Sequence, residues 1–258
     1  MQNRKNRKKI VIGNWKMEPD NLKDAKKIFS TFIKKKLNAK NTTVVICPPN
    51  LFLSDIAKSY KGHKVFFGAQ NVSNENKGAF TGEISPKMLQ SAGARFVIVG
   101  HSERRALGES NSIVSKKVKN SLSSGLHTVV CIGENERDED GEHLRFIEKQ
   151  LTESLLGVSK NLLKKIIIAY EPIWTIGKGK KAMNIEDIER TVLFIRKILA
   201  SIYNKKIAYD ISIIYGGSVN SDNANEIVFR GNVDGLLPGR ASLNPEEFSK
   251  IINEVGRK

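Results

Sequence analysis

Four polar side chains of different chemistry each follow a short apolar run of the sequence. Asn14 and Lys16 follow KIVIG, and His101 follows RFVIVG. The carboxylate of Glu171 comes directly after IIIAY. Each of them alone is ordinary, because a histidine or glutamate after an apolar run is usually a hydrogen-bonded structural residue. They are candidates for chemistry because all four follow apolar runs of the same kind.

Together these groups suit the abstraction of a proton next to a carbonyl group. A carboxylate can take the proton, while an imidazole and an amine stabilise the oxygen that becomes negative. Glycine-rich stretches after the last two apolar runs, YGGS (215–218) and PGR (238–240), offer backbone N–H groups to a phosphate. The four histidines, at positions 63, 101, 127 and 143, lack the paired spacing of a zinc site. The sequence therefore predicts no metal.

Eight apolar β-type runs alternate with longer amphipathic segments and must position these groups. The runs are KIVIGNW, TVVICPP, KVFFGAQN, RFVIVGHS, TVVCIGE, IIIAYEP, SIIYGGSV and VDGLLPGRAS. Most are continuous rather than alternating, as expected of strands covered on both faces. This order predicts an α/β fold, a single-domain (β/α)8 TIM barrel, whose active site lies at the carboxyl ends of the strands. An open doubly wound sheet is the alternative, but no GxGxxG follows the first run.

Three of the intervening segments carry clear helix signals. Residues 21–37 place apolar side chains on one face and lysines on the other. Residues 184–203 open with Asn184 as a helix cap, and residues 244–255 open with Asn244 and Pro245. These segments are predicted to be helices that cover the barrel.

The charge balance is strongly basic, with 43 Lys and Arg against 27 Asp and Glu and a net charge of +16. Such a charge is compatible with nucleic-acid binding, with steering of an anionic substrate, or with a generic lysine-rich surface. The lysines are spread along predicted helices, and no helix-turn-helix signature or aromatic-basic interleaving is present. Nucleic acid is therefore not an expected partner.

The remaining bulk features suggest a single domain in the cytoplasm. Cys47 and Cys131 lie in apolar runs without a CxxC motif, so they are predicted to be reduced core thiols. The apolar runs are too short to span a membrane, and no signal-peptide pattern follows the basic start. Residues 1–8 are expected to form a disordered basic tail, and residues 9–258 to form the barrel domain.

Seven motifs, in this order and at these spacings, closely resemble the triosephosphate isomerase family. They are GNWKM, GAQN, GAFTGE, VGHSERR, CIGE, YEPIWTIGKGKKA and YGGSV. The resemblance runs from about Lys9 to the last predicted helix. It implies the interconversion of dihydroxyacetone phosphate and D-glyceraldehyde 3-phosphate, without a cofactor.

The resemblance also implies a role for each candidate residue. Glu171 would be the base that moves a proton between C1 and C2, and His101, as a neutral imidazole, would polarise the substrate oxygens. Lys16 would balance the substrate's charge, Asn14 would hydrogen-bond near the reacting oxygens, and Glu103 would support the site from its rim. Backbone N–H groups would hold the phosphate; they belong to Gly177, Ser218, Gly239 and Arg240.

The same resemblance implies a function for two loops. Residues 172–182 would form the family's lid, with Ile176 and Gly177 closing over the substrate phosphate. Residues 71–83 would reach into a partner subunit, where Thr81 would touch the neighbour's active site, so a homodimer is implied. On composition alone, residues 71–83 read as an ordinary surface loop.

One position departs from the family pattern. After the eighth strand the family usually has two consecutive glycines, and here Gly239 is followed by Arg240. Arginine keeps its backbone N–H, so we expect its side chain to point away from the pocket or to add a cation at its rim. Two other functions stay open: a polyanion-binding protein on an inactivated barrel, and an isomerase acting on a larger sugar phosphate.

Overall fold

Eight parallel strands close into one barrel in the computed structural model, which describes residues 7–177 and 179–257. Each strand pairs with its neighbour in the chain, and the first pairs with the last. The strands are β1 (Lys9–Asn14), β2 (Thr42–Cys47), β3 (Val65–Ala69), β4 (Phe96–Val99), β5 (His127–Ile132), β6 (Ile166–Tyr170), β7 (Ser212–Tyr215) and β8 (Gly235–Leu236). The predicted (β/α)8 barrel is confirmed.

Helices follow the strands and cover the outside of the barrel. In the described part of the chain they are α1 (Leu22–Ile33), α2 (Asn50–Ser59), α3 (Pro86–Ser91), α4 (Ser102–Ala106), α5 (Asn111–Ser123), α6 (Glu142–Ser154), α7 (Ile185–Ile202), α8 (Lys205–Asp210), α9 (Ala224–Phe229) and α10 (Pro245–Gly256). Short 3-10 helices span Lys160–Lys165, Ile173–Thr175 and Arg240–Leu243.

The N-cap residues that the sequence predicts for two of the helices are confirmed. Asn184 caps α7 by accepting a hydrogen bond from the N–H of Asp187, and Asn244 caps α10 in the same way. The predicted end of the first helix is wrong, because α1 ends at Ile33 rather than near residue 37. Its last buried residue is Phe32, and the three lysines that follow offer no apolar side to the barrel.

Side-chain alternation along the strands divides the core into two layers. A cluster drawn almost entirely from the strands, including Ile12, Ile167 and Ala169, fills the barrel, while a larger cluster joins the strands to the helices. Successive side chains of a strand point to opposite faces. Two residues beyond Ile12 and Ala169, the next inward positions are Asn14 and Glu171. The strand period therefore directs both polar side chains to the carboxyl-end mouth of the barrel.

The two cysteines are in the state that the sequence predicts. Cys47 and Cys131 are free and buried, as predicted, and burial raises the pKa of each thiol. Residues 1–6 of the expected tail lie outside the described residues. Arg7 donates hydrogen bonds to the carbonyls of Tyr209 and Asp210. Among the described residues, no helix has both the length and the apolar character needed to cross a membrane.

Candidate active site

Glu171 and His101 meet at the carboxyl-end mouth of the barrel. Glu171 is the first residue after β6, and His101 immediately precedes α4. The Nε2 atom of His101 lies 3.2 Å from Oε1 of Glu171, and the N–H of Ser102 donates to Oε2 at 3.0 Å. The Glu171 side chain is 2 % exposed. The buried carboxylate thus accepts a hydrogen bond from the Ser102 N–H through one oxygen and faces the His101 imidazole with the other.

The hydrogen bonds of His101 define its tautomer. Its Nδ1 atom accepts a hydrogen bond from the backbone N–H of Glu103 at 3.2 Å, so this nitrogen carries no proton. The proton of the neutral ring must then be on Nε2, the nitrogen that faces Glu171 and the mouth of the barrel. His101 can therefore donate a hydrogen bond to a substrate oxygen without being charged.

Lys16 brings a cation to the same mouth. Its Nζ atom lies 2.5 Å from Oε1 of Glu103, and its backbone N–H donates to Oδ1 of Asn14 at 3.0 Å. Lys16 has a φ of 55°, a left-handed conformation that is uncommon outside glycine. Such backbone strain persists where surrounding contacts hold it, frequently at functional sites. The side chain of Asn14 provides one of those contacts.

The space behind Glu171 is closely packed. A Cβ atom at Gly133 would lie 1.8 Å from the carbonyl oxygen of Glu171, so only glycine allows β5 to approach this residue. Burial and the neighbouring Glu171 carboxylate raise the pKa of Cys131 well above its usual value. The thiol therefore stays neutral and adds no negative charge behind the carboxylate. The sequence had identified Cys131 only as a core residue.

Three of the four residues expected to bind phosphate follow the last two strands: Ser218 follows β7, and Gly239 and Arg240 follow β8. Of these three, Gly239 lies against Lys16. A Cβ atom at Gly239 would lie 3.2 Å from Cε of Lys16. Within the described residues, the backbone N–H groups of Ser218, Gly239 and Arg240 make no hydrogen bond, which leaves them free for a ligand. Gly177 is exposed, with a φ of 135°, and no hydrogen bond joins it to the other three.

Arg240 begins the 3-10 helix Arg240–Leu243 and is exposed. Of the described residues other than glycine, only Lys16 and Asn232 have a positive φ. Arginine is therefore accommodated at this position without backbone strain. Its side chain forms no hydrogen bond or ion pair with the described residues.

We expect Arg240→Gly to change KM for the substrate by no more than about twofold, the size of a typical exposed-site effect. The reason is that the backbone N–H is kept and the side chain holds nothing in place. Steady-state kinetics of the two proteins measure it. A KM that falls tenfold in the glycine variant would mean that the arginine obstructs the pocket.

Glu134, which the sequence placed after β5 without assigning it a role, anchors the start of the expected lid. Its buried Oε1 atom accepts hydrogen bonds from the hydroxyl of Tyr170 at 2.8 Å and from Nε1 of Trp174 at 3.0 Å. Its carbonyl oxygen accepts from the N–H of Ile173 at 2.9 Å. One carboxylate therefore ties strand β6 to the first residues of the loop. The order CIGE was visible in the sequence, but these three contacts were not.

The loop that carries Thr81 is exposed, and several large apolar side chains elsewhere at this end of the barrel are exposed as well. Thr81 is exposed, and the neighbouring Phe80 is 47 % exposed. Large apolar side chains in the segments after β1, β2, β3 and β4 are also exposed: Met17, Leu51, Met88 and Leu107. The sequence did not mark these four, because they lie in four separate segments and form no single apolar run.

Comparisons with known proteins agree over nearly the whole chain. A family model described as triosephosphate isomerase matches residues 9–255. Proteins named triosephosphate isomerase from Thermoanaerobacter pseudethanolicus and Caldanaerobacter subterraneus subsp. tengcongensis are 41% and 42% identical over 249 residues, covering 96% of this chain and 99% of each relative. The protein of that name from Aquifex aeolicus is 41% identical over 247 residues, covering 95% of this chain and 98% of its own.

Proposed function

This chain belongs to the triosephosphate isomerase family, and we propose that Glu171, His101, Lys16 and Asn14 carry out the family's reaction. That reaction is the interconversion of dihydroxyacetone phosphate and D-glyceraldehyde 3-phosphate, a step of glycolysis and gluconeogenesis. One observation supports the assignment most strongly. The Glu171 carboxylate faces an imidazole whose other nitrogen accepts a backbone N–H, so base and neutral donor lie side by side.

Glu171 is the base in the proposed mechanism. Its carboxylate removes a proton from C1 of dihydroxyacetone phosphate, and the electron pair of that C–H bond forms the C1–C2 double bond of an enediolate. The same carboxyl group, now protonated, returns the proton to C2. His101 gives its Nε2 proton to the C2 oxygen and takes the hydroxyl proton of the C1 oxygen, so that C1 is left as the aldehyde and the imidazole as a neutral ring. Since Glu171 directly precedes the lid, movement of the lid can carry the carboxylate from the Ser102 N–H toward the substrate.

The neighbouring donors stabilise the charge that develops on the oxygens. His101 donates from Nε2 to the C1 and C2 oxygens, and triosephosphate isomerase is itself a standard example of a neutral imidazole in this role. Lys16 supplies a full positive charge, and the amide of Asn14 can donate a further hydrogen bond. Groups of this kind act most strongly when they are fixed before the reaction. The contacts of Lys16 with Asn14 and Glu103 support that role.

The phosphate is held by backbone N–H groups of Ser218, Gly239 and Arg240, and by Gly177 once the lid closes. Closure of a loop over the substrate excludes water, and the lid of this family is a standard case. The hydrogen bonds from Tyr170 and Trp174 to Glu134 give the lid a fixed starting point. Glycine at 177, with its positive φ, supplies a flexible tip.

The reaction is tested by turnover of D-glyceraldehyde 3-phosphate in an NADH-linked assay with the purified protein. Ribose 5-phosphate, a larger sugar phosphate, is offered in parallel. We expect fast turnover of the triose phosphate and none of the pentose phosphate. Folded protein that isomerises neither compound would contradict the proposal, and preference for the pentose would reassign the substrate.

The active assembly is proposed to be a cytoplasmic homodimer. Phe80 is 47 % exposed, and further large apolar side chains are exposed in the segments that follow β1 to β4 at the same end of the barrel, which supports a protein partner there. A glycolytic reaction supports the location. In such a dimer, Thr81 on the same loop would reach the partner's active site.

Phe80→Asp is expected to dissociate the dimer and to lower kcat/KM, since a carboxylate would be buried at the interface without a partner. Light scattering coupled to size-exclusion chromatography measures the mass. Phe146→Asp is the matched control, because Phe146 is 42 % exposed on α6, away from the loop. Dimer loss in both variants, or in neither, would argue against this interface.

A further inference from the structure

Two adjoining cavities form a groove at the amino ends of the strands, opposite the candidate active site. The first has a volume of about 740 Å³ and the second about 500 Å³, and both are lined by His63 and Phe66. Lining residues Lys8, Lys40 and Lys64 directly or nearly precede β1, β2 and β3. We call this feature the basal groove. Its first cavity alone is in the usual size range of small-molecule sites, roughly 300–1,000 Å³.

The charged side chains that line the basal groove are all basic. The first cavity is lined by Lys8, Lys36, Lys40, Lys64 and Arg257, and the second adds Lys58 and Arg95. No aspartate or glutamate lines either cavity. With 27 acidic residues against 43 basic ones in the chain, a lining free of carboxylates departs from the average surface.

Most of these cations are not neutralised by the protein. Arg257 forms an ion pair with Glu254 at 2.7 Å. The four lysines of the first cavity form no ion pair with any described residue. Because like charges gathered around a concave surface raise the local positive potential, the groove favours an anion of several charges.

Hydrogen bonds fix the wall of the first cavity. Asn38 donates its backbone N–H to Oδ1 of Asn253 at 2.7 Å, and Nδ2 of Asn253 donates to the carbonyl of Lys36 at 3.2 Å. These bonds fix the segment after α1 against α10. Thr42 also lines this cavity and is 3 % exposed, and its hydroxyl oxygen has no hydrogen-bond partner among the described residues. This hydroxyl oxygen is fully buried, so it belongs to the packed wall and not to the surface that a ligand would touch.

The aromatic content of the groove argues for phosphates rather than nucleobases. Proteins that bind single-stranded nucleic acid generally offer free aromatic faces for stacking. The ring of Phe66, which both cavities share, already packs against the guanidinium of Arg95 at 5.3 Å and the ring of Phe96 at 6.2 Å. The groove therefore presents ammonium and guanidinium groups, which are donors to phosphate oxygens.

We propose that the basal groove binds a chain of linked phosphates, such as inorganic polyphosphate or the triphosphate group of a nucleotide. Several phosphates in a row match several lysines spread over adjoining loops, whereas a single phosphate would engage only part of them. The site is separate from the candidate active site, which lies at the other end of the strands. Binding there is independent of the isomerase reaction.

The test is isothermal titration of the full-length protein with sodium tripolyphosphate at about 0.15 M salt, where unspecific surface attraction is largely screened. We expect saturable binding that dihydroxyacetone phosphate does not displace. If the groove recognises only the phosphates, ATP without magnesium should bind with a Kd similar to that of tripolyphosphate. Inorganic phosphate should bind much more weakly.

A charge-matched pair of variants locates the site. The triple variant K36Q/K40Q/K64Q should raise the Kd by about tenfold or more and reduce its dependence on salt. The control K23Q/K116Q/K197Q removes the same charge from exposed lysines outside the groove and should leave the Kd within about twofold. Isomerase activity, measured on the same proteins, should be unchanged in both.

Several outcomes would overturn the proposal. Equal weakening by both triple variants would mean general attraction to a basic surface, and displacement by dihydroxyacetone phosphate would place the ligand in the active site. Absence of saturable binding would remove the site altogether. Groove-dependent binding of a single-stranded RNA oligonucleotide, with no binding of tripolyphosphate, would reassign the ligand class.

Discussion

Replacing Glu171 by Gln is expected to lower kcat by about 10³-fold or more, since a positioned general base commonly contributes 10²–10⁴-fold. Glutamine fills the same buried space beside His101 but cannot take up the substrate proton. KM should change far less, because most of the proposed phosphate contacts, at Ser218, Gly239 and Arg240, follow other strands. The NADH-linked assay measures both constants, with thermal unfolding of the same protein recorded alongside.

The unfolding measurement matters because Glu171 accepts a hydrogen bond from the N–H of Ser102 at 3.0 Å. If the amide group of glutamine faces that N–H, the bond is lost and the protein is less stable. Glu148→Gln is the control, since Glu148 is an exposed residue of α6 and should retain full activity. A folded Glu171→Gln variant with kcat within tenfold of the parent protein would exclude this residue as the base.

Replacing Lys16 by Met is expected to lower kcat/KM by about 10²-fold or more, a loss typical of removing one group that stabilises developing charge. Methionine keeps much of the side-chain length beside Gly239 while the positive charge disappears. Both constants should change, because in the proposed mechanism the amine interacts with the bound substrate and with the enediolate. Steady-state kinetics with each triose phosphate provide the measurement.

Two further variants separate the charge of Lys16 from its contact with Glu103. Glu103→Gln leaves the amine in place, and Glu103 is 56 % exposed, so we expect only a small loss of activity. Lys23→Met removes an exposed lysine of α1 and controls for net charge. If Glu103→Gln proved as damaging as Lys16→Met, the ion pair rather than the free amine would be the working unit.

The barrel and the position of its polar residues could be predicted because both follow from local patterns. Continuous Val and Ile runs indicate strands covered on both faces, and the two-residue period carries the inward direction from Ile12 to Asn14 and from Ala169 to Glu171. Helix caps such as Asn184 are equally local. These signals are properties of a few adjacent residues, so they can be read without knowing the fold.

The contacts across the barrel could not be predicted in the same way. The hydrogen bonds from Tyr170 and Trp174 to Glu134 join residues about forty positions apart, and the Lys16–Glu103 pair joins residues 87 positions apart. The left-handed backbone of Lys16 is determined by those neighbours, since no turn-forming residue type marks it. The roles of Gly177, Ser218, Gly239 and Arg240 in phosphate binding stay predictions for the same reason, as does the role of Thr81 at a dimer interface.

The burial of both cysteines makes this protein convenient for labelling experiments. Cys47 and Cys131 are the only cysteines in the sequence, and neither thiol is accessible to a bulky reagent while the barrel is folded. A single cysteine introduced at the exposed Lys180 or Lys181 would therefore be the only site to react with a maleimide dye. Its fluorescence during turnover would test whether the loop moves, without first removing either native cysteine.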